Sequence, residues 1–115
     1  MERLIRAIIK RPGLPGIQIH IENSIGTFRA LLDGKEIDDI EVQDFAVVFN
    51  AENQAEDVRP FLAPAFGSGF ETRVTYNGKY MQVNDLRGPV VIVGIEDGEY
   101  TDAPARLQRI ARDMI

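Results

Sequence analysis

The stretch "ETRVTYNGKYMQVN", residues 71–84, constrains the fold more sharply than any other part of the chain. Two alternating runs flank Asn77-Gly78. A type I′ turn needs positive φ at both central positions, and Asn-Gly supplies it. A two-residue loop there pairs Tyr76 with Lys79, Val74 with Met81 and Thr72 with Val83. These six side chains share the more apolar face, and Arg73, Thr75, Tyr80 and Gln82 share the opposite one.

Alternation recurs at the N-terminus. In "RLIRAIIKR", residues 3–11, Ile5, Ala7 and Ile9 fall on one side, with Leu4 and Ile8 on the other beside Arg6 and Lys10. Apolar groups on both faces predict an inner strand. "PGLPG" supplies turn chemistry. "IQIHI" then points Ile17, Ile19 and Ile21 inward and Gln18 and His20 outward, completing a hairpin.

Two segments break the period of two. Over residues 23–34, Asn23 or Ser24 caps a short helix, and Ile25, Phe28 and Leu32 form its stripe with Leu31 beside them. Gly34 sits where a left-handed residue ends such a helix, and Gly26 weakens it by roughly 1 kcal/mol relative to alanine. Near the C-terminus, Asp102 is placed to cap a second helix with Pro104 in its first turn. Leu107, Ile110, Ala111 and Met114 are its apolar stripe, and Arg106, Arg109 and Arg112 its wet side.

Between these, residues 37–50 predict an acidic strand, "IDDIEV", and a central one, "FAVVFN". "GPVVIVGI", residues 88–95, is a continuous β-branched run and reads as a buried strand, after which "EDGEY" turns the chain. Residues 51–69 are the least periodic. They form either a mobile functional segment or a short helix around Gln54–Val58, with Phe61, Leu62 and Phe66 docked on the body. The pattern predicts an α+β class: a mainly antiparallel sheet of about six to seven strands with two short helices packed on it. Its 115 residues predict a single domain, 1–115.

Composition excludes several chemistries. The chain is 44% hydrophobic and 27% charged, ordinary for a globular protein. A net charge of −5 repels phosphate backbones, so no direct nucleic-acid backbone binding is expected. There is no cysteine, hence no disulfide and no thiolate nucleophile. With a single histidine, His20, no zinc set forms. "DGKEIDD" and "EDGEYTD" do not match a calcium loop. Gly67-Ser68-Gly69 is not a nucleophile elbow, and it lacks the Lys-Ser/Thr that follows in a phosphate loop. No catalytic residues, metal or cofactor are expected. The apolar runs fall far short of the ~20 residues of a membrane span, and Arg and Lys interrupt the first apolar stretch. The expectation is a cytoplasmic protein with no membrane association.

Two constellations remain. One is the hairpin's polar face of Arg73, Thr75, Tyr80 and Gln82, either a recognition patch or an ordinary solvated sheet face. With Arg59, Phe61 and Phe66 of the 51–69 loop, Arg73 would line a pocket for a small anionic metabolite or nucleotide. The other is Asp33, Glu36, Asp38, Asp39, Glu41 and Asp44, six acids in twelve residues. They are either a solvated face or a mimic of a DNA phosphate row. The 37–42 edge invites homodimer pairing, although its acids discourage it.

"IRAIIKRPGLPGIQIHIENSIGTFRALLDG" resembles the opening of a small uncharacterised domain family of phages and prophage-carrying bacteria. The shared pattern, R-A-x-x-x-x-P-G followed by I-E-N, falls on Arg6, Ala7, Pro12, Gly13, Ile21, Glu22 and Asn23. "NDLRGPVVIVGIEDGEYTD" is similar to that family's late segment, whereas the middle, 37–83, departs from it. The resemblance brings no activity and no site residues. It implies a small intracellular accessory protein, phage or prophage encoded, acting in phage–host interaction. The sequence thus leads to a non-enzymatic module that binds a host or phage protein. The alternatives are a binder of a small anionic ligand and an acidic DNA mimic.

Overall fold

The computed structural model describes residues 4–67, 73–76 and 79–115. In chain order the elements are β1 (Leu4–Lys10), β2 (Ile17–Glu22), α1 (Ile25–Leu32), β3 (Ile37–Val42), β4 (Phe45–Asn50), β5 (Arg73–Tyr76), β6 (Lys79–Gln82), β7 (Val90–Glu96), β8 (Glu99–Thr101) and α2 (Ala105–Ile110). Short 3-10 turns follow β4, β6 and α2, and another spans Arg59–Phe61. The architecture is α+β. A six-stranded antiparallel sheet runs in the order β2-β1-β7-β4-β3, with β8 paired to β7.

The sheet has two apolar faces because its inner strands are apolar at every position. β4 is buried throughout, and β7 from Val90 to Gly94. On one face, Ile5, Ala7 and Ile9 join Ala46, Val48, Val91 and Val93 under Phe28 and Leu32 of α1. On the other, Ile8, Val47, Phe49, Val90 and Ile92 meet Phe66, Val83, Leu86 and the α2 segment. The inner position expected for β1 follows from this double cover, which on its polar side leaves Arg6 exposed but encloses Lys10. Lys10 is fully buried, with its ammonium donating to the carbonyls of Arg11 at 2.6 Å and Ala65 at 2.5 Å.

β8 fills the gap where β1 and β7 diverge. β1 pairs with β7 only at Ile8, Ile9 and Lys10, and β7 then pairs through Gly94, Ile95 and Glu96 with β8. The Asp97-Gly98 connection has positive φ at both residues, the I′ requirement. At Gly94 a Cβ would overlap the Asp102 carbonyl and the Thr101 hydroxyl.

The expected hairpin forms with the expected partners: Tyr76 opposite Lys79 and Val74 opposite Met81. Its turn, Asn77-Gly78, and Thr72 lie outside the described residues, while Val83, buried, opens a 3-10 turn. The β5–β6 pair forms a second, two-stranded sheet.

Several local expectations are corrected. Ser24 is the cap of α1, accepting from Thr27 N–H, but the left-handed residue at its end is Asp33, with φ 50°, rather than Gly34. Gly34 instead leaves room for the Asn50 side chain. Asp102 does not cap α2. Its carboxylate accepts from Arg6 N–H at 2.8 Å, and Pro104 holds the cap position. Ile17, Ile25 and Ile110, expected inward, are exposed: the edge strand and both short helices reach beyond the cover of their neighbours. Helical turns occupy Ala51–Gln54, which meets the expected Gln54–Val58 helix only at Gln54, and Arg59–Phe61 beyond it.

Candidate interaction site

The 51–67 segment is built from its base outward. Asn50 ends β4 fully enclosed, and its side-chain oxygen accepts from Glu52 N–H at 2.9 Å while its amide nitrogen donates to the carbonyls of Leu32 and Asp33. The Glu52 carboxylate accepts from the N–H groups of Lys35 and Glu36. The first turn is therefore tied to the end of α1.

Gln54 then closes a clasp. Its side-chain oxygen accepts from Arg87 N–H at 2.9 Å and its nitrogen donates to Arg87 C=O at 2.8 Å, satisfying that peptide as a neighbouring strand would. The returning chain meets the same segment. Arg87 Nη1 donates to Leu62 C=O at 3.1 Å, Gly88 N–H to Ala63 C=O, and Ala65 N–H to Leu86 C=O. Phe66 enters the core at 2% exposure.

Residues 55–61, between these two fixed ends, are all exposed. Val58 N–H and Arg59 N–H both donate to Ala55 C=O, and Pro60 presets φ in the following 3-10 turn. This projection presents Phe61 at 85% exposure, with Arg59 on the same turn and Val58 nearby. Leu62 is half-buried at its root.

The residues expected to form a binding site are thereby separated. Phe66 docks on the body as expected, but Phe61 does not, standing exposed on the projection. Arg59 and Phe61 are exposed on the projection, whereas Phe66 is buried in the core. The side chains of Arg73, Thr75, Tyr80 and Gln82 lie outside the described part; their backbones form the paired rungs Arg73–Gln82 and Thr75–Tyr80. Gln54 and Arg87, which close the projection, carry no sequence signal of that role, since they act on each other from 33 positions apart.

The acidic row is divided. Asp44 accepts both guanidinium nitrogens of Arg106, at 2.6 and 2.7 Å, and this hydrogen bonding holds its carboxyl below the usual value. Asp39 accepts the Tyr100 hydroxyl at 2.6 Å. Burial first, then that carboxylate, push the phenol well above its ordinary range. Asp39, Glu41, Glu99, Tyr100 and Asn23 surround an open concavity of about 410 Å³. Asp33, Glu36, Asp38 and Glu41 face solvent. Among the described residues no group of three or more His, Cys, Asp or Glu is arranged to hold a metal, and no helix is long and apolar enough to cross a membrane.

No protein-family model, no curated protein and no solved structure matches the chain.

Proposed function

We propose that the protein is a non-enzymatic protein-binding accessory module that docks a partner through the 55–61 projection. The single observation that carries this reading is Phe61, 85% exposed on a turn whose two ends are hydrogen-bonded to the body. Leaving a phenylalanine in water forgoes roughly 1.5–3 kcal/mol of burial, which a partner's pocket would recover. Aromatic and arginine side chains dominate binding hot spots, and a pre-ordered turn loses little entropy on docking. The projection is convex, which suits insertion into a protein groove rather than enclosure of a small ligand. The resemblance to the phage and prophage family supplies the context, a cytoplasmic partner of host or phage origin.

The test is affinity capture from host lysate with the wild-type chain, Phe61→Ala and Arg59→Glu side by side. A partner taken by the wild type should weaken by tenfold or more with Phe61→Ala, about 1.4 kcal/mol or above. The variant's melting temperature should not move, because Phe61 contributes nothing to the core. Equal capture of the same partner by wild type and Phe61→Ala would refute the assignment.

A further inference from the structure

β2 is an edge of the main sheet, and its open backbone groups are bounded at both ends. Arg6 N–H donates to Asp102 and Arg6 C=O accepts from Ala103 N–H, both on the side of β1 away from β2. The Arg6–His20 pair is thus non-hydrogen-bonded, and His20 turns its N–H and C=O outward, as do Gly16, Gln18 and Glu22 by alternation. At Gly16 the rung is filled, since its N–H donates to Met114 C=O at 3.1 Å. At Glu22 the C=O accepts from Ser24 N–H at 3.0 Å. Gln18 and His20 lie between as open rungs.

The Gly16 end of this edge carries a positive charge. The α2 segment runs back along β2: Gln18 donates its side-chain amide to Gln108 C=O at 2.8 Å, and the chain reaches Met114 beside Gly16. A Cβ at Gly16 would overlap the Ala111 carbonyl, so glycine lets the two segments touch there. Beside this contact is a half-open concavity of about 480 Å³ lined by Pro15, Gly16, Ile17, Gln18, Ala111 and Arg112. Arg112, the charged residue of that lining, is exposed and forms no ion pair among the described residues.

We propose that β2 binds the C-terminal tail of a peptide chain as a short added strand, with its terminal carboxylate held by Arg112. An antiparallel strand sets its last residue opposite Gln18, exchanging two backbone hydrogen bonds, and the residue two before it opposite His20, exchanging two more. The filled rung at Gly16 admits no further residue, so the added chain ends there, at the concavity. Its carboxylate then meets the Arg112 guanidinium in a charge-assisted hydrogen bond. A parallel strand would instead carry its carboxylate toward Glu22 and meet like charge. The penultimate side chain falls opposite Ile19, on the face where Ile17 is 50% exposed, so the tail that fits is apolar at that position. This site shares no residue with the 55–61 projection.

The probes are acetyl-Thr-Ile-Val and the same tripeptide with an amidated C-terminus, titrated into the isotope-labelled full chain and followed by NMR. The free acid should shift the backbone amide resonances of Gln18 and His20 saturably. The amidated peptide should bind at least tenfold more weakly, as should the free acid to Arg112→Gln, because each change removes one partner of the charge pair. Arg109→Gln, outside the concavity, should bind as the wild type does. His20→Pro should stay folded, because proline is tolerated where an edge N–H faces solvent, and should lose the peptide. No saturable shift at either amide, equal binding of acid and amide, or unchanged affinity in Arg112→Gln overturns the proposal. If His20→Pro does not fold, the acid-to-amide and Arg112→Gln comparisons decide alone.

Discussion

Lys10 is a charged side chain taken out of water by the fold. It sits fully enclosed, 5.8 Å from the centre of the Phe66 ring, with backbone carbonyls as its hydrogen-bond acceptors, and burial pushes its ammonium below the ordinary value of 10.5. Because the folded state holds the proton less firmly than the unfolded chain, the unfolded chain binds more protons between the lowered value and 10.5, and this group's contribution to stability rises with pH there. Lys10→Met lacks that rise. Urea unfolding of both proteins from pH 7 to pH 10 should show the difference moving in favour of the wild type as pH increases; a constant difference would contradict it. Tyr100 acts in the opposite sense. Its phenol is raised by burial and by the Asp39 carboxylate, so its contribution is complete below the unfolded value of about 10 and is lost as pH climbs beyond it. Ultraviolet titration should find that Tyr100 resists ionisation until the protein unfolds, a component that Tyr100→Phe should remove. At neutral pH that substitution should cost about 1 kcal/mol through the lost hydrogen bond.

Among the elements, β4 and β7 were legible because continuous apolar runs can be stable only when covered on both faces. The Asn-Gly pairing was legible because its turn chemistry is local. The β8 wedge was not, since three residues carry no period and what fixes them is the space beside Gly94. A Cβ at Gly94 would overlap the Asp102 carbonyl and the Thr101 hydroxyl, whereas one at Gly26 in α1 meets nothing within 4 Å. Gly94→Ala should therefore destabilise by about 2–3 kcal/mol through overpacking. Gly26→Ala should stabilise by roughly 0.5–1 kcal/mol through helix propensity. Thermal unfolding of the pair measures both; a stable Gly94→Ala would mean that β8 can shift without loss. Asp102 shows the same limit from the other side. Its sequence neighbourhood suits a helix cap, but β1 presents an unpaired N–H within reach, and that long-range partner takes the carboxylate.

At the scale of the molecule, the main sheet is covered on both faces, by Phe28 and Leu32 on one and by Phe66, Val83, Leu86 and Leu107 on the other. The sequence by itself determined the α+β class, the antiparallel hairpins, the buried strands and a helix start at Asn23 or Ser24, because periodicity, turn dihedrals and capping are set within a few residues. It did not separate Phe61 from Phe66, which are five positions apart and equally apolar. That decision belongs to Gln54 and Arg87, whose clasp fixes the loop at its base and turns one ring inward and the other out. Tertiary structure likewise buried Lys10 and divided the acids. Each of these depends on which distant backbone group comes within hydrogen-bonding distance, a quantity that no local pattern of residues contains.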